Sequence, residues 1–244
     1  MCEKISVYGV GYNNVTLDEA AELCESLFNE DKNHMVVTPN AEIAYMASND
    51  IKLARILNDA DVVVADGIGV VYASRIYRTP VKMKVPGVEL GMKILENAEK
   101  SGRGVFFLGA KPGVGDLAAA KISEKLPGIN FVGIRDGYFK DDDEVIAEIN
   151  ASGADILFVC LGAPKQEIWM AKNFDKLNCK LMLGLGGSLD SYAGTVKRAP
   201  KIFIKLGLEW FYRLIKEPKR FVRMLALPKY MFAVILDSFR KKDR

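Results

Sequence analysis

Through the first 190 residues, seven unbroken apolar runs of four to six residues alternate with helix-patterned stretches. This alternation constrains the fold more than any other feature of the chain. The runs fall at 5–10, 35–38, 62–65, 105–109, 131–134, 156–161 and 181–185. They are continuous rather than alternating with polar residues, the pattern of strands covered on both faces. Helical patterns fill 16–27, 51–57, 87–99, 114–126, 142–150 and 166–177. The first of these opens on Thr16-Leu17-Asp18-Glu19, whose threonine and glutamate stand three apart as in a capping box. Strand–helix alternation implies right-handed βαβ crossovers and a mostly parallel sheet. The expected class is α/β, a mostly parallel Rossmann-like sheet flanked by helices.

The glycines Gly186, Gly187 and Gly194 punctuate the end of the last run, and beyond them only helical patterns remain. These cover 202–216, 219–227 and 230–240, with Pro218 and Pro228 as separators. The charge switches at the same place. Residues 195–244 hold 14 Lys and Arg against 4 Asp and Glu, whereas residues 1–194 hold 20 against 27. The same tail carries 8 of the 23 aromatic residues. Two units are therefore expected, an α/β domain over 1–194 holding the chemistry and a basic, all-helical appendage over 195–244. An acidic body with a basic, aromatic tail faces different partners at its two ends: anionic membrane surface, nucleic acid or another protein. No apolar run approaches the ~20 residues of a membrane span, and no signal-peptide pattern opens the chain. The four cysteines form no Cys-x-x-Cys, so free thiols in a reducing cytoplasm are expected. With His34 as the only histidine, the usual zinc sites have no ligand set.

Open α/β sheets bind ligands beyond the carboxyl ends of their strands. Those ends read Thr38-Pro39-Asn40, Ala65-Asp66-Gly67-Ile68-Gly69, Gly109-Ala110-Lys111-Pro112-Gly113, Gly162-Ala163-Pro164-Lys165-Gln166-Glu167 and Gly184-Leu185-Gly186-Gly187-Ser188-Leu189-Asp190. A turn explains Gly and Pro in any one of them. Five on one edge point to a phosphate or nucleotide cleft, where glycines let backbone N–H groups approach an anion. Neither a G-x-G-x-x-G fingerprint nor a Walker loop is present, which removes the strongest signals for NAD and ATP. Asp66 stands at the mouth of the sheet, where a general base is needed; an N-cap for a helix starting near Ile68 explains the residue equally well. Asp141-Asp142-Asp143 matches a metal-holding Asp-x-Asp pattern, but acids at a helix start have a local reason, and no metal is expected. His34 reads as a structural or surface residue. In the tail, Arg213, Lys216, Arg220 and Arg223 recur at helical spacing among Trp210, Phe211, Tyr212 and Phe221, with Pro218 breaking the register. That mixture suits an anionic membrane surface or a pyrophosphate; a solvated basic face is the alternative. Nucleic acid has no motif here.

Several of these residues carry a family resemblance. Thr38-Pro39-Asn40-Ala41-Glu42, Asp66-Gly67-x-Gly69, Gly162-Ala163-Pro164-Lys165-Gln166-Glu167, the Gly186-Gly187-Ser188 turn with Asp190, and Arg198-Ala199-Pro200 followed by Leu208-Glu209-Trp210 resemble the WecG/TagA/CpsF glycosyltransferase family, in family order over nearly the whole chain. The resemblance implies an inverting, metal-independent enzyme without cofactors. It would move N-acetylmannosamine from UDP-N-acetylmannosamine to the 4-hydroxyl of N-acetylglucosamine on undecaprenyl diphosphate, in wall teichoic acid linkage-unit synthesis. Relatives with N-acetylmannosamine uronate or hexose donors make other surface polysaccharides. Asp66 takes the base role, with Thr38, Asn40 and Gln166 beside it. The UDP-sugar and diphosphate set is Gly109, Tyr138, Gly162, Lys165, Gly186, Gly187, Asp190, Arg213, Arg220 and Arg223. The expected location is cytoplasmic, on the inner face of the cell membrane, with a homo-oligomer left open. Val64-Ala65 precede Asp66 where near relatives are expected to carry a proline. A nucleotide-dependent enzyme of another class, such as a dehydrogenase, and a non-catalytic lipid- or nucleotide-binding module are the competing readings.

Overall fold

The computed structural model describes residues 3–196, 200, 203, 211, 212 and 226–242. Six parallel strands form one sheet in the order β4-β3-β8-β7-β5-β6. They are β3 (His34–Val37), β4 (Val62–Val63), β5 (Gly104–Gly109), β6 (Asn130–Arg135), β7 (Ile156–Cys160) and β8 (Leu181–Gly184). All but the edge strand β6 are buried throughout, as their unbroken apolar sequences require. Side chains on β3 show the alternation: Met35 and Val37 enter one core, Val36 the other.

The first face carries α2 (Ala41–Ala47), α3 (Ile51–Asp59), α4 (Ile68–Ile76), α7 (Asp142–Ser152) and α8 (Lys165–Asn173). The second carries α1 (Leu17–Ser26), α5 (Gly87–Ser101), α6 (Val114–Ser123) and α9 (Ser188–Ala193). The Thr16 capping box forms as read, with Glu19 N–H donating to Thr16 Oγ1 and Thr16 N–H to Glu19 Oε2. The short helices α2 and α9 were not legible as helices. Each is only six or seven residues long, too short to display a helical repeat, and α9 ends on Gly194 in the left-handed region at φ +69°.

The first apolar run does not join the parallel sheet. It forms an antiparallel hairpin, β1 (Lys4–Val7) with β2 (Val10–Asn13). Tyr8 and Gly9 both have positive φ, +49° and +83°, so two residues reverse the chain. The hairpin covers the exposed edge of β4, where Asn13 Oδ1 accepts from Val63 N–H at 2.8 Å and Lys4 Nζ donates to Ala60 O at 3.1 Å.

The C-terminal helix α10 (Ala226–Lys242) packs on α2 and α4. Pro228 does not separate two helices here; it is the third residue of one, where the N–H groups of a first turn have no intrahelical acceptor to lose. Tyr230 and Val234 are fully buried, the Tyr8 and Tyr230 rings meet edge to face at 5.4 Å, and Tyr77 Oη donates to Asp237 Oδ2 at 2.6 Å. The helices expected over 202–216 and over most of 219–227 lie outside the described residues, as do Arg213, Arg220 and Arg223. Phe203 and Tyr212 are described, with ring centroids 5.4 Å apart. No helix among the described residues is long and apolar enough to cross a membrane.

Candidate active site

Adjacent strands β3 and β8 send their chains to opposite faces, β3 into α2 on the first and β8 into α9 on the second. A crevice opens at such a switch point, beyond the strand carboxyl ends. Thr38 follows β3, is nearly buried, and donates from Oγ1 to the carbonyl of Gly184, the last residue of β8, at 3.1 Å. Asn40 is the N-cap of α2; its Oδ1 accepts from the N–H groups of Glu42 and Ile43, which leaves its Nδ2 as the remaining polar end.

Asp66 follows β4 and is half-buried. It is not the N-cap of α4: that position belongs to Gly67, at φ +101°. Instead its Oδ2 accepts from the N–H of Gly87 at 3.4 Å, the first residue of the fifteen-residue helix α5. Segment 85–87 is held there because Val85 N–H donates to Ala65 O at 2.8 Å. The Gly87 contact places the carboxylate at the N-terminus of α5. Gly87 was not among the expected site residues. The signal for it is a contact across 21 residues, which sequence spacing does not display.

Gln166, in the first turn of α8, is 2% exposed. Its Oε1 accepts from Gly186 N–H at 2.8 Å and its Nε2 donates to Glu167 Oε1 at 2.8 Å. The strand-end residues thus form a continuous wall, Asp66 and Asn40 by β4 and β3, Thr38 on Gly184, and Gln166 on Gly186. The ends of β7, β5 and β6 are stitched to one another by backbone bonds, Ala110 N–H to Cys160 O at 3.1 Å and Gly137 N–H to Ala110 O at 3.0 Å. At Gly109, φ is +130° and a Cβ would stand 2.3 Å from the Cys160 carbonyl oxygen, so only glycine brings the two strand ends this close. The exposed Tyr138 sits in this rim, its N–H donating to Asp136 Oδ1 at 2.8 Å. Lys165 reaches across with Nζ 3.5 Å from Gly137 O and 5.3 Å from the centre of the Phe139 ring. Gly162 turns at φ +77°, Gly187 is exposed, and Asp190 lies in the first turn of α9 with Oδ1 taking the Thr195 hydroxyl at 3.2 Å.

The acidic triplet has local work. Asp141 caps α7 by accepting from Asp143 N–H at 2.9 Å, Asp142 takes Trp169 Nε1 at 2.9 Å and Lys172 Nζ at 2.7 Å, and Asp143 pairs with Lys176 at 2.8 Å. Lys172 holds the Asp142 carboxyl below its usual range. His34 is fully buried at the opposite, amino end of β3, its Nδ1 3.1 Å from Asp61 Oδ1, so it is structural rather than a surface residue. Cys24, Cys160 and Cys179 are buried and free, and burial pushes each thiol up to about 12.

The sequence profile described as "Glycosyl transferase WecG/TagA/CpsF family" matches residues 5–244. A protein of Bacillus spizizenii (strain ATCC 23059 / NRRL B-14472 / W23) is 39% identical over 206 residues, 84% of this chain and 80% of its own length. One of Staphylococcus aureus (strain MRSA252) is 36% identical over 234 residues, 95% of this chain and 92% of its own length. One of Bacillus subtilis (strain 168) is 36% identical over 239 residues, 97% and 93% of the respective lengths. All three are named N-acetylglucosaminyldiphosphoundecaprenol N-acetyl-beta-D-mannosaminyltransferase. With the profile covering nearly every residue, this chain belongs to the WecG/TagA/CpsF glycosyltransferase family.

Proposed function

We infer that this chain transfers N-acetylmannosamine from UDP-N-acetylmannosamine to N-acetylglucosamine on undecaprenyl diphosphate, the linkage-unit step of wall teichoic acid synthesis. The observation that carries the reading is the wall at the strand ends, where Thr38, Asn40, Asp66 and the Gln166–Gly186 pair converge. The names of the three relatives supply the acceptor and the sugar.

Inversion by single displacement needs a base and a way to stabilise the leaving diphosphate. Asp66 takes the proton from the acceptor 4-hydroxyl as that oxygen bonds to the anomeric carbon. The bond from that carbon to the diphosphate oxygen breaks with its electron pair, and UDP departs from the opposite face. Lys165, the N–H of Gly187 in the Gly186-Gly187 turn, whose Gly186 N–H is held by Gln166, and tail arginines Arg213, Arg220 and Arg223 are the groups proposed for the diphosphate, Gly109, Gly162, Tyr138 and Asp190 for the rest of the nucleotide sugar. The position of α10 supports the arginines. Leu227 Cδ1 stands 2.8 Å from where a Cβ of Gly69 would lie, in the first turn of the helix that follows Asp66. Arg223 precedes Ala226 by three residues, a span of at most about 11 Å.

The same helix supports attachment to the inner face of the membrane, where the lipid-linked acceptor resides. Phe232, Ile235, Leu236 and Phe239 are all exposed, Phe232 at 65% and Phe239 at 60%. They recur at the three- and four-residue interval of one helical face, away from buried Tyr230 and Val234. Transferring a phenylalanine from water into an apolar phase is worth roughly 1.5–3 kcal/mol. Replacing both Phe232 and Phe239 by serine is therefore expected to lower binding to anionic vesicles by at least about tenfold. Because both side chains are exposed, the melting temperature should hardly change. Vesicle binding equal to that of the parent protein would remove this face from the membrane role.

Mass spectrometry of the lipid product tests the transfer itself. The expected product is the acceptor made heavier by one N-acetylhexosamine. An uronate or hexose increment would keep the family and change the donor, and no increment with any UDP-sugar would leave a non-catalytic binding module.

A further inference from the structure

Beneath Gln166 lies an acid that no step above uses. Glu167 is fully buried, and its Oε2 has no hydrogen-bond partner among the described residues. Its Oε1 accepts from Gln166 Nε2 at 2.8 Å, while Gln166 Oε1 accepts from Gly186 N–H at 2.8 Å. Space around the amide is closed, since a Cβ on Gly184 would lie 3.2 Å from Gln166 Nε2 and 2.8 Å from Met170 Cε. The two ends of an amide are not equivalent. Gly186 N–H needs an oxygen, which leaves the nitrogen facing Glu167. Without an acceptor at that point the nitrogen is buried and unsatisfied, and turning the amide over would set N–H against N–H.

We propose that Glu167 is a positioning residue for the transfer: its buried oxygen sets the amide of Gln166, and that amide fixes the Gly186-Gly187 turn in the donor cleft. The inference rests on the reading of the cleft given above. It requires an acceptor oxygen and not a charge. Burial pushes the Glu167 carboxyl above its usual range, with the Gln166 hydrogen bond acting against that.

Two substitutions separate acceptor from charge. Glu167→Gln keeps an oxygen at the same place and should leave UDP affinity, donor KM and kcat near the parent values. Glu167→Leu removes it and should raise the UDP Kd and the donor KM on the order of tenfold, the effect of one buried unsatisfied N–H. The acceptor KM should stay unchanged. A purely structural role would instead lower the active fraction and the melting temperature with both KM values intact. Equal losses in the two variants, or UDP binding by Glu167→Leu equal to that of the parent protein, would overturn the inference. Should Glu167→Leu not fold, amide hydrogen exchange at Gly186 in Glu167→Gln decides: parental protection supports it and lost protection overturns it. Calorimetry of the parent protein with UDP separates the two levels. No binding there overturns the cleft reading and this inference together. Binding by both the parent protein and Glu167→Leu, unchanged, overturns only the positioning role.

Discussion

Replacing Asp66 by asparagine is expected to lower kcat by about 10²–10⁴-fold, the range that a positioned general base contributes. The asparagine has nearly the same shape, so its side-chain oxygen can still accept from Gly87 N–H and the melting temperature should stay close to the parent value. Donor KM should also move little, because the substitution removes proton acceptance and not a diphosphate contact. Steady-state UDP release at saturating acceptor reads this directly. A turnover within a few-fold of the parent protein would remove Asp66 from the base role and leave it as a residue that holds the start of α5.

The second large effect concerns the leaving group. Replacing Arg213, Arg220 and Arg223 by alanine, singly and together, should lower kcat by on the order of 10²–10³-fold for whichever arginine meets the diphosphate in the transition state. Lysine at that position should restore only part of the rate, since an ammonium lacks the planar fork that bonds two phosphate oxygens at once. Cations at the described strand ends include Lys165, whose Nζ already leans on Gly137 O, Lys111 in the loop after β5, and Arg135 at the end of β6, which is paired with Glu144 and Glu148. With the arginine committed to two carboxylates, they are a small positive set for a departing diphosphate. The tail, with its 14 Lys and Arg, enters the fold at α10 next to the first turn of α4. A triple variant with parental turnover would place diphosphate stabilisation on Lys165 and the Gly187 N–H instead.

The parallel sheet was legible because strands buried on both faces cannot hide: 156–161 and 181–185 read as unbroken apolar runs and form β7 and β8. The same signal misled at 5–10. A short hairpin and a parallel strand share apolar composition, and the difference lies in Tyr8, a non-glycine residue at φ +49° that no turn preference announces. Pro228 misled for a related reason. A proline marks a helix start as well as a helix end, and the sequence alone does not say which. Within the site, Thr38, Asn40 and Asp66 could be picked out because each directly follows an apolar run. Their partners could not be, since Gly184 lies 146 residues from Thr38 and Gly87 lies 21 from Asp66. Glu167 was visible only as a letter in a motif. A glutamate in a first helical turn is expected at the surface, balancing the helix dipole, and its burial follows from the way α8 lies on β8.

Transfer by this chain is read from UDP release with a panel of UDP-sugars, with and without undecaprenyl-diphosphate-linked N-acetylglucosamine in vesicles. Release with UDP-N-acetylmannosamine that depends on the acceptor is expected, together with little hydrolysis in its absence. Acceptor-independent release, or no release from any donor by protein that binds the vesicles, would contradict it.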